Sequence, residues 1–373
     1  MTEVRIGIVG GGLMGRELAA AIGRWAALTD HPIRPRLDAV CDPSPEARAW
    51  FERIATVRTV TDDRRRLLDD PALDVLYLAV PHHLHEELYL DAIAAGKDFL
   101  GEKPFGIDLA AARRIVAALN DRPGVFARCS SEMPYFPGAQ LAYDTIRSGA
   151  LGELIEVEHV FLHSSDLDRD KPINWKRQAE FCGEAGVMND LGMHVLHLPL
   201  RLGWRPNTVH ATLQDIVQQR PGPDGERVRC DTWDNATIHA DAGFPLTLAT
   251  KRIAPGETNT WRIRALGMDG GVEFSTANPK VVKRFAVRDG RQVWERLETG
   301  SQSAFPTVTG PIFEFGFSDA ILQMWAAYLA EREGSLGDRL GCVTPHEALA
   351  AHEIFHAALE SGASQSVVTL PDS

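Results

Sequence analysis

The chain has 373 residues, 44% of them hydrophobic and 24% charged, with a formal net charge of -12. Single cores stop growing at roughly 250–300 residues, so two domains are expected. The negative balance gives long-range repulsion towards nucleic acid, anionic membrane surfaces and polyanionic substrates, which excludes them as principal partners while leaving room for a local basic pocket.

The first 130 residues alternate strand and helix signals. Val4 to Val9 is a β-branched run that ends in glycines. Leu13 to Leu28 reads as an alanine-rich helix. Leu37 to Cys41 is a second strand, reached through a proline-containing connection at Thr29 to Arg36. A helix follows at Ala47 to Ile54, then an apolar strand at Asp74 to Val80. Leu84 to Ala95 is a helix closed by Gly96, Asp98 to Leu100 a short strand, and Asp108 caps a helix that runs to Leu119 before a strand at Val125 to Cys129. Such alternation implies parallel βαβ units.

The remainder reads differently. A helix at Ala139 to Ser148 precedes strand-like runs at Leu154 to Phe161, Thr208 to Val217, Thr232 to Ala240, Leu246 to Lys251, Trp261 to Leu266 and Gly271 to Ser275. One helix interrupts them near Ala185 to Leu202. Pro221 to Glu226 reads as an exposed loop, and two helices close the chain, Phe317 to Arg332 and Pro345 to Glu360. Consecutive strands without helices between them mean a mainly antiparallel sheet. The fold class is therefore α/β: a doubly wound parallel sheet over 1–130, then an α+β domain over 131–373 with a large open sheet, helix 345–360 being a candidate to pack back on the first domain.

No stretch approaches the ~20 apolar residues of a membrane span. The first residues lack the basic region and apolar run of a signal peptide, so a cytoplasmic location is the expectation. The five cysteines, Cys41, Cys129, Cys182, Cys230 and Cys342, are scattered with no C-x-x-C, which favours buried reduced thiols over disulfides or a thiolate metal site.

Gly10-Gly11-Gly12-Leu13-Met14-Gly15 matches G-x-G-x-x-G between a strand and a helix. Gly10 permits the turn, Gly12 lets backbone approach a pyrophosphate, and Gly15 lets helix and strand pack closely, with the helix N-terminus facing the phosphates. Asp42 ends the second strand. Its carboxylate suits a ribose hydroxyl and repels a 2′-phosphate, so NAD is expected rather than NADP.

Three other clusters carry chemistry. Glu102-Lys103-Pro104 follows a short strand at the carboxyl edge of the sheet, where a lysine can stabilise a developing alkoxide. Asp190-Leu191-Gly192-Met193-His194 puts an acid and a histidine on one helix face, with His194 a natural base and Asp190 its orienting partner or relay. His197, one turn on, can join that face, and with Asp190 and His194 it raises a metal reading, against the plainer one of a helix histidine with a backbone or water partner. His352-Glu353-Ile354-Phe355-His356 is literally H-E-x-x-H, the zinc-hydrolase helix pattern, and stands as the remote alternative. Against it, little chain remains for a third ligand and the segment alternates alanine with large apolar residues like a packing helix; no bound metal is expected.

Taken together, G-G-G-L-M-G, V-P-H-H-L-H after a strand, A-G-K-D-F-L-G-E-K-P and G-V-M-N-D-L-G-M-H resemble the Gfo/Idh/MocA family over essentially the whole chain. The resemblance implies a Rossmann domain, a second domain whose open sheet mediates a homodimer or homotetramer, and hydride transfer between NAD and one carbinol of a sugar, polyol or glycoside. A variant of that chemistry keeps NAD bound for a redox-neutral epimerisation, elimination or glycoside cleavage. It implies Lys103, Asp190 and His194 as catalytic residues. It also implies Pro81, His82, His85 and Glu102 beside the cofactor, and Trp175, Lys176 and His197 near the substrate. The chain departs from the family at Lys176, His197 and Pro134, where many members carry arginine, aspartate and arginine.

Overall fold

The computed structural model describes residues 2–371, which divide into two compact units: 1–135 with 303–310 and 316–348, and 136–302 with 311–315 and 349–373. The first boundary falls after Tyr135. The chain rejoins the first unit at 303–310 and 316–348, and most of the helix at 345–360 belongs to the second unit.

The first unit runs β1 (Thr2–Val9), α1 (Leu13–Gly23), β2 (Ile33–Cys41), α2 (Pro45–Glu52), β3 (Thr59–Thr61), α3 (Arg65–Leu68), β4 (Val75–Leu78), α4 (His85–Ala94), β5 (Asp98–Gly101), α5 (Leu109–Asn120) and β6 (Ala127–Cys129). The six strands are all parallel, in the order β3-β2-β1-β4-β5-β6. That order reverses between β1 and β4, so their carboxyl ends form the crevice where doubly wound sheets bind ligands. Asp108 caps α5 by accepting the Ala111 N–H at 2.7 Å. β2 starts four residues before the expected Leu37 and runs straight through Pro35. β3 pairs only with Ala39–Cys41, so the outer edge along 33–38 has no strand neighbour, and a proline there sacrifices no ladder bond.

The second unit contains α6 (Pro137–Arg147), β7 (Leu154–His163), α7 (Ala179–Cys182), α8 (Val187–Arg201), β8 (Thr208–Gln214), β9 (Gln219–Pro221), β10 (Arg227–Arg229), β11 (Asn235–Asp241), β12 (Pro245–Lys251), β13 (Asn259–Gly267), β14 (Gly271–Ser275), β15 (Val281–Arg288) and β16 (Arg291–Glu298). α9 (Phe317–Arg332) then packs against α1 in the first unit, and α10 (Pro345–Ser364) and β17 (Val368–Thr369) follow. Nine strands form one sheet ordered β16-β15-β14-β13-β7-β12-β11-β8-β17, antiparallel except for the β7–β12 pair. α6 and α8 cover one face. The other carries cross-strand ion pairs, Arg262 with Glu158, Arg264 with Glu156 and Glu273, and Lys283 with Glu273. The segment read as a loop at Pro221 to Glu226 connects the small β9–β10 hairpin.

Among the described residues no helix is long and apolar enough to cross a membrane. All five cysteines are buried and outside any disulfide.

Candidate active site

In the first unit the glycine turn is built by exclusion. Gly10 sits at φ 106°, and a Cβ there would lie 2.1 Å from the Ala79 carbonyl oxygen at the end of β4. A Cβ on Gly15 would meet the Gly10 oxygen at 2.2 Å, so only glycine lets α1 approach β1 this closely. Gly12, the N-cap of α1, is the opposite case: a Cβ there would meet nothing within 4 Å, and no side chain caps the helix. Leu13 beside it is exposed and Met14 half-buried. The open space over an uncapped helix N-terminus fits a pyrophosphate. Asp42 braces the turn from the end of β2. Its Oδ2 accepts the Gly11 N–H at 2.6 Å and its Oδ1 the Ser44 N–H at 2.8 Å. The residues present therefore fit NAD, with the acid already fixed beside the phosphate turn.

Lys103 is half-buried just beyond β5 and is held by its neighbours. Glu102, 6% exposed, accepts the Tyr77 hydroxyl at Oε1 (2.6 Å), and its carbonyl accepts the Tyr89 hydroxyl at 2.5 Å. Burial and the Glu102 charge keep the Tyr77 hydroxyl well above its ordinary pKa, so it stays a donor. His85 is fully buried, its Nδ1 2.7 Å from the Pro104 carbonyl and its Nε2 2.8 Å from the Val80 carbonyl. It tethers the segment after β4 to the segment carrying Lys103. Glu102 and His85 thus brace the segments that follow β5 and β4. Pro81 is half-buried and His82 buried in the short turn before α4.

In the second unit α8 starts at Gly186, with φ 55° and a Trp233 backbone nitrogen 2.7 Å from where a Cβ would be. Asp190 lies in the first turn, where the helix dipole favours a carboxylate, and His194 one turn on; both are buried. Lys176 Nζ reaches Asp190 Oδ1 at 2.8 Å, and Arg252 Nε lies 3.6 Å from Oδ2. The His194 ring packs edge-on against Phe161, and its carbonyl accepts the Trp261 indole N–H at 2.7 Å. Trp175 is half-buried, with Lys176 Nζ 5.7 Å from its ring centre. His197 is fully buried and its field reaches His159, whose pKa burial pushes down to about 3, with His197 acting in the same direction. It lies in the packed interior of the second unit, one turn beyond His194, which is buried to a similar degree.

The H-E-x-x-H segment, expected to be a packing helix with a zinc site as the remote alternative, lies in α10. His352 is buried, His356 exposed, and Glu353 pairs with Arg205 at 2.9 Å. Between them Phe355 packs on α8 where Gly192 leaves room: a Cβ on Gly192 would lie 2.4 Å from the Phe355 ring. The helix is packing, because its two histidines face different surroundings and its acid already has a cation. Among the described residues no group of three histidine, cysteine or acidic side chains is gathered as a metal site requires.

Three residues escaped the sequence reading. Tyr77 and Tyr89 look like ordinary core aromatics in apolar runs. Arg252 looks like a surface cation at a strand end, yet is 2% exposed.

Comparison with known proteins agrees with this architecture. The family described as "oxidoreductase family, NAD-binding Rossmann fold" matches residues 4–127, and the GFO/IDH/MocA C-terminal domain matches 139–273. Levoglucosan dehydrogenase of Pseudarthrobacter phenanthrenivorans is 25% identical, over 85% of this chain and 83% of its own. The rhizopine catabolism protein MocA of Rhizobium meliloti is 25% identical, over 69% and 74%. Levoglucosan dehydrogenase in complex with NADH and L-sorbose superimposes with a TM-score of 0.90 at 23% identity, and an NAD binding oxidoreductase from Klebsiella pneumoniae with 0.87 at 26%, each covering 100% of both chains. With both domain models in place on one chain, and the glycine turn and Asp42 suited to the dinucleotide, the protein belongs to the Gfo/Idh/MocA family and is an NAD-dependent oxidoreductase.

Proposed function

We propose that the protein is a dehydrogenase that acts on a secondary carbinol of a sugar, anhydrosugar or polyol. NAD, when bound, supplies the hydride acceptor. His194 takes the hydroxyl proton. Asp190, paired with Lys176 at the start of α8, orients His194 and favours the imidazolium that forms. Lys103 supplies a cation for the developing alkoxide. The observation that carries this reading is the Lys176–Asp190 pair at 2.8 Å: a buried acid fixed by a cation, one helical turn from a histidine, is the arrangement a general base needs. Trp175 and Lys176 are assigned to the substrate, an aromatic face and a cation beside a polyhydroxylated ring.

The relatives named for levoglucosan make that anhydrosugar the first compound to test. L-sorbose, inositols, aldoses and simple glycosides complete the panel, with NADH absorbance as readout. Turnover of a member with steady NADH release supports the proposal. A substrate consumed with no net NADH indicates a redox-neutral reaction on retained cofactor, and no turnover across the panel refutes the carbohydrate assignment. The ion-paired open face of the nine-stranded sheet is assigned to self-assembly as a dimer or tetramer, which sedimentation would read as a mass above the 41.0 kDa of one chain.

A further inference from the structure

We propose that Arg252 is a positioning residue that locks Asp190 and Lys176 into one rigid unit, a role that rests on the dehydrogenase reading above only for its effect on turnover. Arg252 directly follows β12, and its guanidinium reaches both the turn at Lys176 and the start of α8 at Gly186 and Asp190. Nη1 donates to the Lys176 carbonyl at 2.8 Å. Nη2 donates to the Gly186 carbonyl at 3.2 Å, and Gly186 is the N-cap of α8. Nε lies 3.6 Å from Asp190 Oδ2. Lys176 Nζ holds the other oxygen of the same carboxylate at 2.8 Å.

The three contacts close a ring. Arg252 fixes the backbone of Lys176, the Lys176 side chain fixes one face of Asp190, and Arg252 fixes the other face together with the helix end that carries it. No member can move without breaking a contact made by another. The Lys176 carbonyl also accepts the Thr232 hydroxyl at 3.0 Å, so the loop is held from two sides. A planar fork with separate donors is needed to reach two carbonyls and a carboxylate at once; an ammonium offers the charge but not the span. Burial works against the charged form of Arg252, yet the Cys182 sulfur, which accepts from Nη2 at 3.6 Å, and the carboxylates of Asp190 and Asp166 hold its pKa above the ordinary value, so the fork stays charged. The groups facing it are Lys176, Cys182, Asp190 and Asp166, of which only the two acids are negative.

Two measurements on the full-length protein decide the matter. Amide exchange in Arg252→Lys, without substrate, is expected to quicken about tenfold or more in both 174–178 and 186–190, with the first unit unchanged. With whichever panel carbohydrate turns over, kcat is expected to fall about tenfold in Arg252→Lys and about a hundredfold in Arg252→Met, because an ångström of misplacement costs on this order. KM should stay within about threefold, and NADH affinity, read by its fluorescence, within about twofold. Arg252→Gln replaces the methionine variant should that one fail to bind NADH. Unchanged exchange in both segments overturns the proposal. So does a kcat within about twofold of the parent, or an NADH affinity that falls as far as kcat, which would mark a role in general stability. If no carbohydrate turns over, the exchange result alone decides Arg252, and the failure falls on the functional reading instead.

Discussion

Asp42→Asn separates the two jobs the structure gives Asp42. The carboxylate accepts two backbone N–H groups, from Gly11 at 2.6 Å and Ser44 at 2.8 Å, and so holds the glycine turn in shape. Its charge, half-buried at the end of β2, is also what a 2′-phosphate would meet. Asparagine keeps one carbonyl acceptor for Gly11 and removes the charge. A phosphate carrying about 1.5–2 charges, roughly 5 Å from a carboxylate at an effective dielectric of 40–80, is repelled by about 1–3 kcal/mol. Loss of a charge-assisted bond to the ribose adds about 1 kcal/mol against NAD. The ratio of kcat/KM for NAD to that for NADP is therefore expected to fall by about 2–4 kcal/mol, or roughly thirty- to a thousandfold. Asp42→Ala removes the brace as well, so it should weaken both cofactors while shifting the ratio by a similar amount. The assay is steady-state kinetics with each cofactor at saturating carbohydrate, backed by titration of NADH and NADPH fluorescence. A ratio unchanged within about threefold in Asp42→Asn would refute the assignment of cofactor choice to this charge.

Four further outcomes follow. His194→Ala should lower kcat by roughly 10²–10⁴-fold with partial recovery at high pH, whereas Lys103→Met should lose turnover without that recovery; near-parental turnover in either removes it from the chemistry. Gly192→Ala places a Cβ 2.4 Å from the Phe355 ring, so it should cost about 1–3 kcal/mol of stability and also lower kcat, since the same helix carries Asp190 and His194; adding Phe355→Leu should restore both. His159 has a folded pKa of about 3 against 6.5 unfolded, so the unfolded state binds the extra proton, and stability is fully present above about pH 6.5 and lost as pH falls towards 3, by up to about 1.4 kcal/mol per unit; His159→Phe should flatten the dependence of Tm on pH between 6.5 and 4, and an unaltered slope counts against it. Exhaustive chelation should leave turnover intact and elemental analysis should find no stoichiometric zinc, because Glu353 is committed to Arg205 and His352 is buried.

The glycine turn, Asp42, the Lys103 segment and the Asp190–His194 spacing were legible because each depends on neighbours a few residues away. β15 and β16 were not. Their sequences, VVKRFAVR and RQVWERLE, put charged residues on both faces, and much of each strand is solvated, so no period of two in hydrophobicity survives. β3 is three residues long and flanked by charge, which leaves no pattern to read. α9 is buried on nearly every side, as its all-round apolar sequence implies, but a uniformly apolar helix does not say which unit it joins. The contacts of His85 with the Pro104 carbonyl and of Glu102 with Tyr77 were not legible, since they join segments well apart along the chain.

The buried arginines of the second unit were invisible for a related reason, and they explain how an irregular segment can be rigid. The stretch between β7 and α8 has little regular structure, so its carbonyls lack ladder partners, and a buried carbonyl without a donor is costly. Arginine side chains supply the donors. Arg220 reaches the carbonyls of Asp166 and Asp168, each at 2.6 Å, and Arg252 that of Lys176. Arg177 pairs with Asp234, which in turn accepts the N–H groups of Ile216 and Val217. Ion pairs buried this deeply are about neutral for stability compared with apolar residues of the same size, so stability alone gives no reason to build a loop this way. Geometry does. Trp175 and Lys176 leave the backbone from a single 3-10 turn, Trp175–Arg177, capped by Asn174, whose Oδ1 accepts the Lys176 N–H at 3.0 Å, and a turn this short depends on ties to its carbonyls to hold those side chains in place. Arg252 supplies such a tie, through the Lys176 carbonyl, at the short turn from which the side chains proposed for the substrate project.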